Sequence, residues 1–180
     1  SVSEDKIIES DIQELKNIPD KSVLESQLGV KISIFNDMKC SAYGYYIHHP
    51  YHQNICFLTF PKNSGPGCGS MINGRLLEGK NTIAGEIVYL PVFHFLEKKS
   101  FHYTINDLAQ AVSSLSAILN PDLVLLTGER INQKDTLCIE KECLKYIPQK
   151  FMPEIKYIKD YRLYYLKGIE KKLIDQIIEA

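Results

Sequence analysis

Three groups of residues in this chain carry the chemistry of a ligand site. The first is Asn36-Asp37, which closes the apolar run Ile32-Ser33-Ile34-Phe35. A carboxylate at the C-terminal end of a strand, opening a helix, stands where α/β sheets bind ligands, and it can accept a proton from a reacting hydroxyl. Asp is also a good helix N-cap, so local structure explains the residue as well. The second is the stretch 63–86, NSGPGCGSMINGRLLEGKNTIAGE. Glycines at Gly65, Gly67 and Gly69 allow a turn with positive φ and a close approach of the backbone to a ligand. Successive N–H groups in such a turn form an anion-binding concavity, which suggests phosphate. A structural turn built on Pro66-Gly67 accounts for the same residues. The third is Glu86, a carboxylate set beside Ala84-Gly85 and the apolar run that follows.

The elements that position these groups follow from periodicity and punctuation. Residues 3–18 read as a helix, with Ser3 as its cap and Ile8, Ile12 and Leu15 as a stripe. A short helix over 22–28 stops at Gly29. A buried strand is expected at 31–35 and a helix at 37–48, ended by Pro50. Residues 53–60 predict a strand. Asn73-Gly74 between Met71-Ile72 and Leu76-Leu77 predicts a tight hairpin. Residues 86–95 are apolar and β-branched or aromatic, which predicts a strand or extended segment. Thr104 and Asp107 form a near capping box, and Ile105, Leu108, Ala109, Val112, Leu115 and Leu119 mark one helical face up to Asn120-Pro121. Residues 122–126 predict a fully buried strand at the centre of a parallel sheet. Residues 131–146 predict a helix, 155–158 a short strand, and 161–178 a closing helix with Leu166, Leu173 and Ile177 inward. Strands and helices in this order give an α/β layered domain with a mixed sheet flanked by helices.

Composition bounds the function. The chain has 180 residues, 44% of them hydrophobic, and a net charge of −1. That is enough for one ordinary core and carries no basic field that would favour nucleic acid. No apolar run reaches the ~18 residues of a membrane span, so no membrane partner is expected. The five cysteines stand at irregular spacing without a CxxC pair, which predicts reduced thiols and a cytoplasmic location. His48, His49 and His52 match no metal-ligand spacing, and a solvated helix end explains them better. Many of the eleven tyrosines fall in 43–51 and 157–165; the second group is a candidate dimer surface.

The order Asn36-Asp37, Ser64-Gly65-Pro66-Gly67, Asn73-Gly74, Ala84-Gly85-Glu86 resembles the second half of the ROK family (repressors, unannotated frames and sugar kinases), in the actin-like ATPase and sugar-kinase group. The segment 119–128, LNPDLVLLTG, is similar to that family's Asn-Pro-strand-Gly-Gly segment. The resemblance implies an RNase-H-like lobe spanning 1–180 as a single domain, the C-terminal lobe of a two-lobe protein. No Asp-x-Gly-[Thr/Ser] phosphate hairpin occurs in the sequence, so the first lobe and any helix-turn-helix are expected outside these residues.

By the same resemblance Asp37 is the catalytic base, and Asn36, Asp37, Glu86 and Tyr89 face a sugar or sugar phosphate. Ser64, Gly65, Gly67 and Gly128 would hold the phosphates and nucleotide of ATP with Mg²⁺ in the full-length protein. Two departures matter. Pro66 removes one N–H from the phosphate turn. Tyr89 stands where the family has a His that contacts sugar and often zinc, and residues 90–100 hold no cysteine, so zinc is not expected. These departures suit a sugar-binding regulatory lobe of a ROK-type transcriptional regulator. The alternative is the C-terminal lobe of an ATP-dependent hexose kinase. A homodimer is expected, with DNA contacted only through a missing N-terminal domain.

Overall fold

A computed structural model describes residues 18–80, 82–94 and 102–179; the helix expected at 3–18 lies almost wholly outside them. The elements run α1 (Lys21–Leu28), α2 (Asp37–His48), β1 (Ile55–Thr59), β2 (Gly67–Ile72), β3 (Arg75–Leu76), α3 (Pro91–His94), α4 (Ile105–Leu119), β4 (Leu123–Thr127), α5 (Gln133–Cys143), β5 (Glu154–Tyr157) and α6 (Arg162–Glu179). The five strands form one mixed sheet in the order β3-β2-β1-β4-β5. β1 runs antiparallel to β2 and parallel to β4, and β4 is parallel to β5. This is the α/β class that the sequence predicts.

Local chemistry explains the elements. Met71 pairs with Leu76 and Ile72 with Arg75 across a two-residue turn. Asn73 (φ 51) and Gly74 (φ 70) both take positive φ, the type I′ geometry for which Asn-Gly is suited. Thr104 and Asp107 complete a capping box at the start of α4. Gly29 closes α1 in the left-handed region, its N–H donating to the Glu25 carbonyl. β4 is buried along its whole length, as a central parallel strand with both faces covered must be.

One face of the sheet packs α4 and α5 around Leu58, Leu126, Val112 and Ile139. The other packs α2 through Met38, Ala42 and Tyr45 onto Ile55, Phe57 and Leu125. α6 lies across α2, and glycines make that crossing close. A Cβ on Gly44 would stand 1.8 Å from the Tyr164 carbonyl oxygen, and one on Gly168 would stand 1.8 Å from that of Cys40.

Four expectations are corrected. Residues 31–35 are not a strand: they run extended beside α1, with the Ile32 N–H donating to Glu25 Oε1, and no strand of the sheet lies alongside. Residues 87–94 form a 3₁₀ turn and α3 instead of a strand, because Gly85 (φ 89) turns the chain and Pro91 is pre-set to start a helix; Phe95 lies outside the described residues. Gly65, Gly67 and Gly69 do not have positive φ, and the last two belong to β2. In α6, Leu166, Leu173 and Ile177 are exposed. The crossing at Gly168 turns the opposite side inward, where Tyr164, Lys172 and Asp175 reach α2 and its surroundings.

This packing makes stability fall at high pH. Burial pushes the Cys40 thiol up to about 11 from 9.0 and the Tyr45 phenol up to about 12 from 10.0, with Tyr164 adding to the latter. Both groups ionise more readily in the unfolded chain. Their stabilising contribution is therefore complete below pH 9 and is lost as pH rises from about 9 to 12. Urea midpoints measured across that window should decline, and Tyr45→Phe should flatten the upper half of the decline.

Candidate functional site

The candidate residues gather at the end of the sheet where the parallel strands β1 and β4 finish. β2 begins there, since Gly67 pairs with Thr59 at the end of β1. The first turn of α2 sits on β2: a Cβ on Gly69 would fall 2.1 Å from the Met38 carbonyl oxygen. The segment 84–86 lies against the same strand, with a Cβ on Gly85 placed 3.0 Å from the Cys68 carbonyl oxygen. Asn36 and Glu86 thereby meet, Asn36 Nδ2 donating to Glu86 Oε1 at 3.5 Å.

Asn36, not Asp37, is the N-cap of α2; its Oδ1 accepts from the Lys39 N–H at 2.9 Å. Asp37 is the first helical residue and is exposed. Its Oδ1 accepts from the Met38 N–H at 2.8 Å. Among the described residues no cation lies within ion-pair reach of it, and the helix N-terminus stabilises its charge. Two tyrosines at the start of α6 feel its charge. Tyr161 is shifted upward by burial and then by the carboxylates of Asp37 and Glu129, Tyr165 by burial, Cys40 and Asp37.

The turn from β1 to β2 is stitched to the end of β4. The Phe60 N–H donates to the Thr127 carbonyl at 2.9 Å, and the Arg130 N–H to the Phe60 carbonyl at 3.1 Å. Gly128, at φ 119, passes so close to Phe60 that a Cβ would lie 2.4 Å from its carbonyl oxygen. The Lys62 N–H donates to Glu129 Oε2 at 2.9 Å. The Ser64 carbonyl accepts from the Tyr103 hydroxyl at 3.4 Å. Ser64, Gly65, Gly67 and Gly128 thus share one rim, with a carboxylate already on one of the turn's N–H groups. Tyr89 is 56% exposed, in the turn just beyond Glu86.

The sequence did not single out Lys39. It is 5% exposed, and its Nζ donates to the carbonyls of Thr82 (2.6 Å) and Glu78 (3.5 Å). This fastens the loop before Glu86 to α2. Burial holds the ammonium below the usual lysine value, opposed by the charges of Glu78 and Glu86. Its signal was a helical stripe, Asn36, Lys39 and Tyr43, polar where a packed face would be apolar. Among the described residues no cluster of three or more His, Cys, Asp or Glu could hold a metal ion, and no helix is long and apolar enough to cross a membrane.

Residues 2–99 match the ROK family. The fold superposes on a ROK family glucokinase from Streptomyces griseus in complex with glucose and AMPPNP, with a TM-score of 0.66 and 12% identity over 92% of this chain and 76% of that one. A ROK hexokinase from Thermus thermophilus gives 0.65 and 15% over 86% and 71%. A ROK family transcriptional regulator, a homologue of the E. coli MLC protein, gives 0.57 and 12% over 89% and 58%. These likenesses establish the fold as the one shared by these ROK kinases and this ROK regulator. No curated protein matches the chain.

Proposed function

Since the chain belongs to the ROK family, we propose that it is the sugar-binding second lobe of a ROK-type transcriptional regulator, which recognises a hexose without phosphorylating it. The observation that carries this reading is the contrast between the two halves of the rim. On one half, Asn36 and Glu86 approach to 3.5 Å at the start of α2, leaving an amide and a carboxylate in position for sugar hydroxyls. On the other, the turn suits a nucleotide phosphate poorly. Pro66 has no N–H, and the Lys62 N–H is held by the Glu129 carboxylate, whose charge repels a phosphate. A first lobe, a DNA-binding part outside these residues, a homodimer and a cytoplasmic location belong to the same reading.

A second reading, the lobe of an ATP-dependent hexose kinase, is favoured by one observation: Asp37 is exposed at the start of α2 with no cation paired to it among the described residues. A general base needs that access.

The test uses the intact protein. Hexose titration should show binding that Glu86→Gln weakens about tenfold, the effect of losing one charge-assisted hydrogen bond. Incubation with ATP, Mg²⁺ and hexose should give no sugar phosphate. Phosphorylation that disappears in Asp37→Asn would replace this reading with the kinase.

A further inference from the structure

A cavity of about 590 Å³ opens beside α2 at the β3 edge of the sheet, between α1, the segment before α2, β3, Glu78, Thr82 and α6. Its volume is within the range of small-molecule sites. Asn36 lines it, whereas Asp37 and Glu86 do not, so it adjoins the rim described above at Asn36 and extends away from it.

Its walls are rich in cations. Lys21, Lys39, Arg75 and Lys172 line it, against two carboxylates, Glu78 and Asp175. Both acids are already engaged. Glu78 Oε1 accepts from Lys172 Nζ at 2.8 Å, while Asp175 accepts from Lys171 and, at 2.9 Å, from the Tyr43 hydroxyl. Lys21 and Arg75 make no ion pair among the described residues. Lys39 is the telling member. Its buried ammonium meets two neutral carbonyls and no carboxylate within ion-pair reach among the described residues, although an ammonium has three donors. Glu78 and Glu86 act on that ammonium only from beyond ion-pair reach, so an anion entering the cavity would supply the direct counter-charge that a buried ammonium lacks. Around the cations, Ser33, Asn36 and Gln176 supply hydroxyl and amide groups that complement a polyol.

We propose that this cavity is a second ligand site, for a hydroxylated phosphomonoester of the size of a hexose phosphate, with the phosphate between Lys39 and Arg75. Lys39 also holds the loop that leads to Glu86 through the Thr82 carbonyl. Drawing Lys39 toward an anion would loosen that tether, so occupancy of this site reaches the Asn36–Glu86 rim. The site itself does not depend on a hexose binding at that rim.

The experiment is calorimetric titration of the protein at low salt with glucose 6-phosphate, inorganic phosphate and glucose in turn. Glucose 6-phosphate should bind tighter than inorganic phosphate. Lys39→Met and Arg75→Gln should each weaken it about tenfold, while Asp37→Asn and Glu86→Gln change it less than about twofold. Arg75 is exposed on an edge strand, so its variant tests the site even where Lys39→Met alters the loop. Glucose 6-phosphate affinity unchanged in Arg75→Gln, lost in Glu86→Gln, equal to that of inorganic phosphate, or absent in the parent protein would overturn the proposal. Loss of glucose binding alone would overturn the sugar reading of the rim and leave this site standing.

Discussion

Gly168→Ala will destabilise the fold by about 3 kcal/mol or more, the upper range of core overpacking, even though alanine is intrinsically the better helix residue. Mid-helix, the same exchange ordinarily stabilises by roughly 1 kcal/mol. The sign reverses because the new methyl has no room: it would stand 1.8 Å from the Cys40 carbonyl oxygen and 2.6 Å from its carbon. Those are backbone atoms of α2, which cannot rotate aside as a side-chain end can. The helices must separate, and separation undoes the contacts of Tyr164 with Tyr45, whose rings lie 4.9 Å apart. Gly44→Ala meets the Tyr164 carbonyl oxygen from the other side at 1.8 Å and should cost a similar amount. Because both act on one crossing, the double variant should cost less than the sum. Gly29→Ala is the control: its φ is +68 with nothing near, so only the left-handed strain of about 1 kcal/mol is expected. Urea unfolding of the four variants separates these cases. A Gly168→Ala protein as stable as its parent would mean that α6 does not cross α2 at this point.

The crossing shows where the sequence was legible and where it was not. Signals that complete themselves locally were clear. Asn73-Gly74 specifies a turn, Thr104 with Asp107 specifies a helix start, and the four apolar residues Leu123–Leu126 specify a buried strand, each within a few positions. Signals that depend on what lies alongside were not. Ile32-Ser33-Ile34-Phe35 has a strand's composition, yet no strand of the sheet adjoins it. Leu166, Leu173 and Ile177 make a plausible inward stripe, but closest approach required a glycine, and Gly168 fixed the rotation of α6 instead. At the rim, the types and order of Asn36, Asp37 and Glu86 could be read from the sequence. Tyr161 could not, because its importance comes from the carboxylates of Asp37 and Glu129 that the fold puts beside it; for Lys39 the polar stripe on α2 was visible, but not the two loop carbonyls that it holds.

The glycines after Ser64 carry the second large expected effect, and they separate two physical roles for the same sequence. If they served a flexible turn, substitutions at Gly65 and Gly67 would do the most harm. The structure places the constraint further along, where α2 rests on β2. A Cβ on Gly69 would lie 2.1 Å from the Met38 carbonyl oxygen, 2.5 Å from its carbon and 2.8 Å from the Lys39 nitrogen. One on Gly67 would meet only side-chain atoms, Met38 Cγ at 3.1 Å and Thr59 Cγ2 at 3.2 Å, which can yield by a few tenths of an ångström. Gly69→Ala should therefore cost about 3 kcal/mol and Gly67→Ala about 1 kcal/mol or less, measured by urea midpoints. The larger loss carries a functional signature as well. Lifting the first turn of α2 moves Asn36 off Glu86, so hexose affinity in the intact protein should fall at least about tenfold in Gly69→Ala and little in Gly67→Ala. Equal losses at the two positions would return the glycines to a turn-forming role and remove the seating of α2 on β2 as the feature that assembles the rim.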